Sequence, residues 1–130
     1  MTVFIDTSYY VAFLNPRDQW FERAENAARG QFRTITSSLI LNETVSLLQA
    51  RGLLSTALDW LRAVRADPDT QIVYVDAAIQ SEAWDLFARW GAHGANAVDC
   101  TSFAIMRRMS IKKAFTFDRR FRSAGFETLG

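Results

Sequence analysis

The sequence predicts an α/β domain built on a mainly parallel sheet, and three features of the chain favour this fold class. Short apolar runs rich in β-prone residues alternate with longer segments in which apolar residues recur at helical spacing. The connections between these segments are short, which is typical of strand–helix–strand units. With 130 residues, 49% of them hydrophobic, the chain can bury one substantial core, so we expect a single domain over residues 1–130.

The amino-terminal half predicts two strands and four helices. Residues 2–5 form an apolar run typical of a buried strand, and Thr7 and Ser8 offer hydroxyls that can begin a helix reaching Leu14. The elements predicted after it are a helix over residues 20–28, a strand over residues 33–36, a helix capped by Ser37 or Ser38 and ended by Gly52, and a helix over residues 53–66.

The carboxyl-terminal half predicts the remaining strands of the sheet. A turn signal at residues 67–69 precedes an apolar strand at residues 72–75, and Asp76 is placed to cap a long helix that reaches Trp90. The elements predicted after it are a flexible loop over residues 91–96, a helix over 97–109, a strand over 114–117, a short helix over 119–123 and an edge strand over 126–129. Ligands of such sheets bind beyond the carboxyl ends of the strands.

Four acidic residues that each follow a short apolar run form the candidate site: Asp6, Glu43, Asp99 and Asp118. Each has a structural interpretation of its own, since Asp6 and Asp99 could cap helices, Glu43 could pair with an arginine and Asp118 could begin a turn. Four carboxylates at one edge of a sheet would instead repel each other unless a divalent cation held them together. The second interpretation accounts for all four positions at once.

The rest of the composition narrows the chemistry of such a site. His93 is the only histidine and Cys100 the only cysteine, so a Cys/His zinc site, a Ser-His-Asp triad and a Cys-His pair are poorly supported. Oxygen ligands select Mg²⁺ or Mn²⁺, which can activate a water and stabilise the departing oxygen of a phosphodiester, leaving a 5′-phosphate and a 3′-hydroxyl. With a single cysteine, no signal peptide and no apolar run of membrane-spanning length, we expect a cytoplasmic protein with no membrane partner.

Neighbouring polar residues could assist the acids. Thr7, Ser8 and Thr116 lie beside them in sequence and are candidate supporting hydroxyls, although hydroxyls at such places often only cap helices. The net charge is only +1, yet basic residues are concentrated after residue 106. Arg119 and Arg120 are therefore candidate RNA-binding residues, with a solvated basic surface as the alternative.

Four motifs of this chain resemble those of the PIN-domain ribonucleases, and within them the VapC-like toxins of bacterial toxin–antitoxin pairs. They are Phe-Ile-Asp-Thr-Ser at residues 4–8, Asn-Glu at 42–43, Val-Asp-Cys-Thr-Ser-Phe-Ala at 98–104 and Thr-Phe-Asp-Arg-Arg-Phe at 116–121. The first motif is short and unspecific, but the four together cover essentially the whole chain in the family's order and spacing.

The resemblance implies a three-layer α/β/α PIN-like domain with a central, mainly parallel sheet of four to five strands. It also implies an endoribonuclease in which the four acids are catalytic and bind Mg²⁺ or Mn²⁺, Asp6 and Asp99 being the firmest ligands. Thr116 matches a hydroxyl that often precedes the last acid of the family.

The resemblance further implies a homodimer that a small antitoxin protein holds inactive. Apolar residues on the long helix, Trp84, Phe87 and Trp90, could make such contacts, with core packing as the alternative for at least one of them. Family members often carry a histidine where this chain has Trp20, a departure that could alter the groove beside the site. We expect RNA specificity to lie in the loops at residues 17–20 and 91–96.

Other functions remain open at this point. An acidic phosphatase of the aspartyl-phosphate type would need a second aspartate where Ser8 stands, and a receiver domain would need a lysine near Phe117 and Asp118. A PIN-fold module that binds metal or nucleic acid without turnover, or an RNA-processing nuclease with no toxin role, is the stronger alternative.

Overall fold

The computed structural model describes residues 1–30 and 32–130 and confirms the predicted fold class, because helices flank a central parallel sheet of five strands. The strands are β1 (Thr2–Ile5), β2 (Arg33–Ser37), β3 (Thr70–Val73), β4 (Lys113–Phe115) and β5 (Glu127–Leu129). The helices are α1 (Thr7–Leu14), α2 (Phe21–Ala27), α3 (Ser38–Ala50), α4 (Leu54–Ala66), α5 (Ala77–Trp90), α6 (Ala97–Arg108) and α7 (Arg120–Ser123), with a 3₁₀ turn at Gly91–His93.

The strand order β3-β2-β1-β4-β5 places the first strand at the centre of the sheet. Phe4 is in register with Ile35 of β2 on one side and with Ala114 of β4 on the other, and every neighbouring pair is parallel. The chain builds outward from β1 to β3 and then returns to add β4 and β5 on the opposite side. The order of the strands therefore reverses between β1 and β4, and such a switch point opens a crevice at the carboxyl ends of the two strands.

The core explains why the strands read as continuous apolar runs. Val3 and Phe4 are fully buried although successive side chains point to opposite faces, because helices cover the sheet on both sides. Helix α6 is buried at every position from residue 99 to 106 and packs against α5. This central helix carries Asp99 on its first turn, at the same edge as the switch point.

Several element boundaries differ from those predicted by one or two residues, and the clearest differences lie in β3, in β4 and in the loop at residues 91–96. Strand β3 begins at Thr70 rather than Ile72, because the Thr70 hydroxyl lies 2.7 Å from that of Thr34 on β2 and the pairing starts with polar residues. Strand β4 ends at Phe115, where the chain turns to bring Thr116 to the site. The predicted loop at residues 91–96 contains a 3₁₀ turn, closed by Gly94 with φ of 92°.

Across the part of the chain that the structure describes, we find no helix with the length and apolarity needed to span a membrane.

Candidate active site

A pocket of about 730 Å³ opens at the carboxyl edge of the sheet, beside the switch point. The structure brings all four acids named above into its lining, and we call it the acid pocket. The residues that line it are Asp6, Thr7, Ser8, Val11, Asp18, Gln19, Trp20, Glu43, Leu47, Arg51, His93, Asn96, Asp99, Phe117, Asp118, Arg119, Arg120 and Ser123.

Asp6 lies at the end of the central strand and is held by two hydroxyls. Its backbone N–H donates to Phe115 O at 3.0 Å, which fixes the residue against β4. Its Oδ2 accepts hydrogen bonds of 2.9 Å from Ser8 Oγ and from Thr116 Oγ1, and the two hydroxyl oxygens are 3.1 Å apart. Asp6 occupies the N-cap position of α1 but its side chain makes no capping hydrogen bond there. The helix-cap interpretation therefore does not account for this carboxylate.

Burial controls the ionisation of Asp6. The side chain is only 5% exposed, and loss of hydration raises its pKa to about 6. This net value includes the hydrogen bonds from Ser8 and Thr116, which lower the pKa without offsetting burial, and the Asp118 carboxylate, which raises it. A negative charge at this position is thus costly near neutral pH unless a cation comes close to it.

Thr7 is the third candidate hydroxyl, and among the described residues it makes no hydrogen bond to an acid of the pocket. Its Oγ1 is buried and has no hydrogen-bond partner among the described residues. Ser8 and Thr116 are therefore the two hydroxyls that contact an acid of the pocket.

Asp99 both caps a helix and faces the acid pocket. Its Oδ2 accepts from Asn96 N–H at 3.0 Å, and its own N–H donates to Asn96 Oδ1 at 2.8 Å, which completes a capping box on α6. Burial, with a further contribution from the carboxylates of Asp6 and Asp118, raises the pKa of Asp99 to about 7, although Asn96 N–H and Arg120 lower it. The capping interpretation is correct here, but it does not remove the carboxylate from the pocket.

Asp118 forms an ion pair with Arg120, a residue predicted to contact RNA. Arg120 Nη1 lies 3.1 Å from Asp118 Oδ2, and Arg120 N–H donates to Asp118 Oδ1 at 2.9 Å. The guanidinium also lies against Gly94, where a Cβ atom would be 3.0 Å from Arg120 Nε. Arg120 thus pairs with an acid of the pocket although its side chain is 47% exposed, and Arg119 is exposed at the rim.

Glu43 lies half-buried on α3 and has no ion-pair partner among residues 1–30 and 32–130. The interpretation that it serves an arginine is therefore not supported. Leu47 and Arg51 follow on the same face of α3, four and eight residues later, and both line the acid pocket. Arg51 is not among the predicted site residues, although its helical spacing from Glu43 is visible in the sequence.

The donor atoms suit a hard divalent cation, but the described residues hold no ready-made cage for one. All four acids offer oxygen ligands, and burial of Asp6 and Asp99 leaves their charge poorly solvated. Within residues 1–30 and 32–130, no three His, Cys, Asp or Glu side chains form a group that could hold a metal ion. Asp6, Asp99 and Asp118 instead make hydrogen bonds to other neighbours.

Comparison with known proteins gives one consistent result. The model of the PIN domain family matches residues 3–127. The 23S rRNA-specific endonuclease VapC20 of Mycobacterium tuberculosis, in two strains, is 32% identical over 125 residues, which cover 95% of either chain. The crystal structure of M. tuberculosis VapC20, described as a sarcin–ricin loop cleaving toxin, superposes with a TM-score of 0.89 over 95% of both chains. FitAcB of Neisseria gonorrhoeae, 18% identical, shares the fold with a TM-score of 0.70 over 100% of this chain and 97% of its own.

Proposed function

The chain belongs to the PIN-domain family, and from that premise we propose that it is an endoribonuclease and the toxin of a toxin–antitoxin pair. The observation that carries the proposal is the burial of Asp6 and Asp99 in one pocket with Asp118 and Glu43. Carboxylates in such surroundings are expected at a functional site rather than in a structural core. The activity of VapC20, an endonuclease specific for 23S rRNA, supports cleavage of RNA.

We propose that Asp6, Glu43, Asp99 and Asp118 are the catalytic and metal-binding residues and that the ion is Mg²⁺ or Mn²⁺. Their oxygen donors and the low hydration of Asp6 and Asp99 support this choice. When bound, such an ion supplies Lewis-acid chemistry, lowering the pKa of a water and stabilising charge on the departing oxygen. The four side chains would have to draw closer together to bind one ion.

The neighbouring residues orient these acids. Ser8 and Thr116 hold Asp6 through its Oδ2, and this leaves its Oδ1 to face a ligand. Asn96 holds Asp99 in the same manner. Arg120 neutralises Asp118 in the free protein, and its guanidinium would be available to an RNA phosphate if Asp118 held the ion instead. Arg119 is already exposed for that purpose.

The partners of the proposed toxin are RNA, a small antitoxin and a second copy of the chain. The sarcin–ricin loop of 23S rRNA is the first RNA to test, because VapC20 cleaves that loop. Trp84 and Phe87 on α5 are 62% and 44% exposed and are therefore the candidates for protein contacts, while Trp90 packs against the core.

The test is cleavage of end-labelled RNA, with total RNA and an isolated sarcin–ricin loop as substrates and Mg²⁺, Mn²⁺ or a chelator added. We expect metal-dependent cleavage by the wild-type chain and a loss of roughly 1,000-fold in Asp99→Asn, because several kcal/mol of transition-state stabilisation are removed. Asp69→Asn, a change at the opposite edge of the sheet, is the matched control and should cleave normally. Equal rates in Asp99→Asn and the wild type, or cleavage that the chelator does not stop, contradict the proposal.

A further inference from the structure

A stack of aromatic rings reaches from the core to the border of the acid pocket. The rings of Trp20 and Phe117 are nearly parallel, with an interplanar angle of 9° and centroids 5.5 Å apart. On the core side, Phe117 is also nearly parallel to the buried Tyr9, at 6.3 Å and 15°. Trp20 and Phe117 line the acid pocket, but Tyr9 does not, so these two rings form the pocket end of the stack.

The backbone holds both rings in place through residues beside the acids. Phe117 lies between Thr116, which donates to Asp6, and Asp118, and Phe117 N–H donates to Ser8 Oγ at 3.0 Å. Trp20 follows an Asx turn in which its N–H donates to Asp18 Oδ1 at 2.8 Å. The ring pair is thus fixed before any ligand arrives, which lowers the entropic cost of binding to it.

A positive charge accompanies the rings. The guanidinium carbon of Arg23 lies 5.1 Å from the centroid of Trp20 and 5.6 Å from that of Phe117. Trp20 and Phe117 each remain partly exposed, so a ligand in the pocket can reach the ring pair. Aromatic faces with a neighbouring cation are the combination that single-stranded nucleic acid binds, because every base has a face that can stack.

We propose that the Trp20–Phe117 pair is a stacking platform for one unpaired base of the RNA, adjacent to the phosphodiester that the four acids receive. The inference rests on the proposed ribonuclease function and assigns a substrate-positioning role to two residues of that site. Because stacking tolerates any base, the platform selects a base that has left its helix rather than a particular sequence. RNA loops and bulges present such bases, whereas a continuous duplex does not.

The experiment measures RNA binding by the non-cleaving Asp99→Asn chain and by the same chain carrying Trp20→Leu, Trp20→Phe or Tyr74→Leu. The probes are single-stranded RNA oligonucleotides, each intact or with one abasic position that is moved along the strand. We expect Trp20→Leu to weaken binding of the intact strand by roughly 5- to 150-fold, the range measured for one stacked base. Trp20→Phe should retain most of the affinity. Tyr74→Leu, which alters an exposed aromatic residue outside the acid pocket, should retain all of it.

The abasic strands separate a stacking role from a structural one. One abasic position should weaken binding by the parent chain about as much as Trp20→Leu does, and the two changes together should cost little more than either alone. Full additivity at every position overturns the platform, as does unchanged affinity in Trp20→Leu. If Trp20→Leu weakens binding of a protein partner but not of RNA, the surface serves protein docking and the inference is wrong.

A fluorescence measurement covers the case in which Trp20→Leu fails to fold, which its melting curve would reveal. With 2-aminopurine at the identified position, emission should fall on binding to the parent chain, and unchanged emission overturns the platform. If the wild-type chain cleaves RNA and Trp20→Leu cleaves it with the same KM, the stacking platform is contradicted but the nuclease function is not. If Trp20→Leu and the abasic position affect binding non-additively but the wild-type chain cleaves no RNA, the platform is supported and the nuclease function is contradicted.

Discussion

The two edges of the parallel sheet are both polar, but only the carboxyl edge buries its charges. At the amino edge, Lys113 and Glu127 form an ion pair of 3.8 Å whose side chains are 37% and 70% exposed, and Arg33 and Asp69 are exposed as well. At the carboxyl edge, Asp6 and Asp99 are 5% and 6% exposed. Water solvates the first set of charges and is largely excluded from the second.

The difference has an energetic meaning. An exposed pair such as Lys113–Glu127 contributes at most about 1 kcal/mol to stability. Burial raises the pKa of Asp6 to about 6, so its ionised form costs the fold about 3 kcal/mol near neutral pH. A fold that keeps such a destabilising charge, while solvating its charges at the other edge, points to a role for the carboxyl edge beyond folding.

Among changes that compare the two edges of the sheet, a change at Thr116 should have the largest effect on the cleavage rate. Thr116→Val removes a hydroxyl that holds Asp6, and we expect cleavage to fall by about 10- to 100-fold, as for other residues that orient a metal ligand. Thr116→Ser keeps the hydroxyl and should restore most of the rate. Thr70→Val is the matched change at the amino edge, since it removes the 2.7 Å contact with Thr34, and it should leave the rate unchanged. A cleavage rate that is normal in Thr116→Val and reduced in Thr116→Ser would depend on side-chain volume and not on the hydroxyl, and would contradict this expectation.

A smaller effect is expected at Asn96, the N-cap of α6. Asn96→Ala and Asp76→Ala each remove a side chain that caps a helix, at α6 and at α5. Both should lower the free energy of unfolding by about 1 kcal/mol. Only Asn96→Ala should also lower cleavage, by about tenfold, because Asn96 shares its capping box with Asp99. Denaturant unfolding measures the stability of both variants and shows that they are folded. Equal cleavage rates of the two folded variants would show that the capping box of Asn96 and Asp99 affects stability alone.

The smallest effect should come from the exposed arginines. Arg119→Ala should reduce the slope of log K against log salt for RNA binding by about one, because one phosphate contact is lost. Arg33→Ala, at the amino edge, should leave that slope unchanged. RNA titrations at several salt concentrations measure both slopes. A similar change of slope in the two variants would mean that RNA contacts basic residues at both edges of the sheet.

The sequence was sufficient for the fold because the central strands are buried on both faces. The apolar run at residues 2–5 therefore predicted β1 correctly. The polar start of β3 at Thr70 could not be predicted in the same way. The four acids could be found because each follows an apolar run, and strand order then brings them to one pocket. Their roles as metal ligands remain a prediction.

Side-chain partners could not be read from the sequence because they depend on distant elements. The hydrogen bond from Thr116 to Asp6 joins residues 110 positions apart in the chain, and the Trp20–Phe117 stack joins residues 97 positions apart. Trp20 was predicted to lie in a loop that determines RNA specificity, but its ring partner could not be predicted from the sequence. Local patterns thus located the acids, and the tertiary structure was needed to show what holds them.

The ionisation of the acid pocket determines how stability depends on pH. The folded-state pKa values of Asp6, about 6, and of Asp99, about 7, lie above the ordinary value of 3.8. The stability that these groups contribute is therefore complete below about pH 4 and is lost as the pH rises through 6 and 7. A bound cation favours the ionised carboxylates and should restore stability in that range.

The central claim is that the buried acids at the carboxyl edge destabilise the fold and bind a cation. The most direct test compares the free energy of unfolding of the wild type with that of Asp6→Asn. Both are measured by denaturant at about pH 8, with and without Mn²⁺. Without the ion, Asp6→Asn should be more stable by about 1–3 kcal/mol, since the amide removes a buried charge and still accepts from Ser8 and Thr116. Mn²⁺ should stabilise the wild type far more than Asp6→Asn. A less stable Asp6→Asn in the absence of the ion, or equal stabilisation of both chains by Mn²⁺, contradicts the claim.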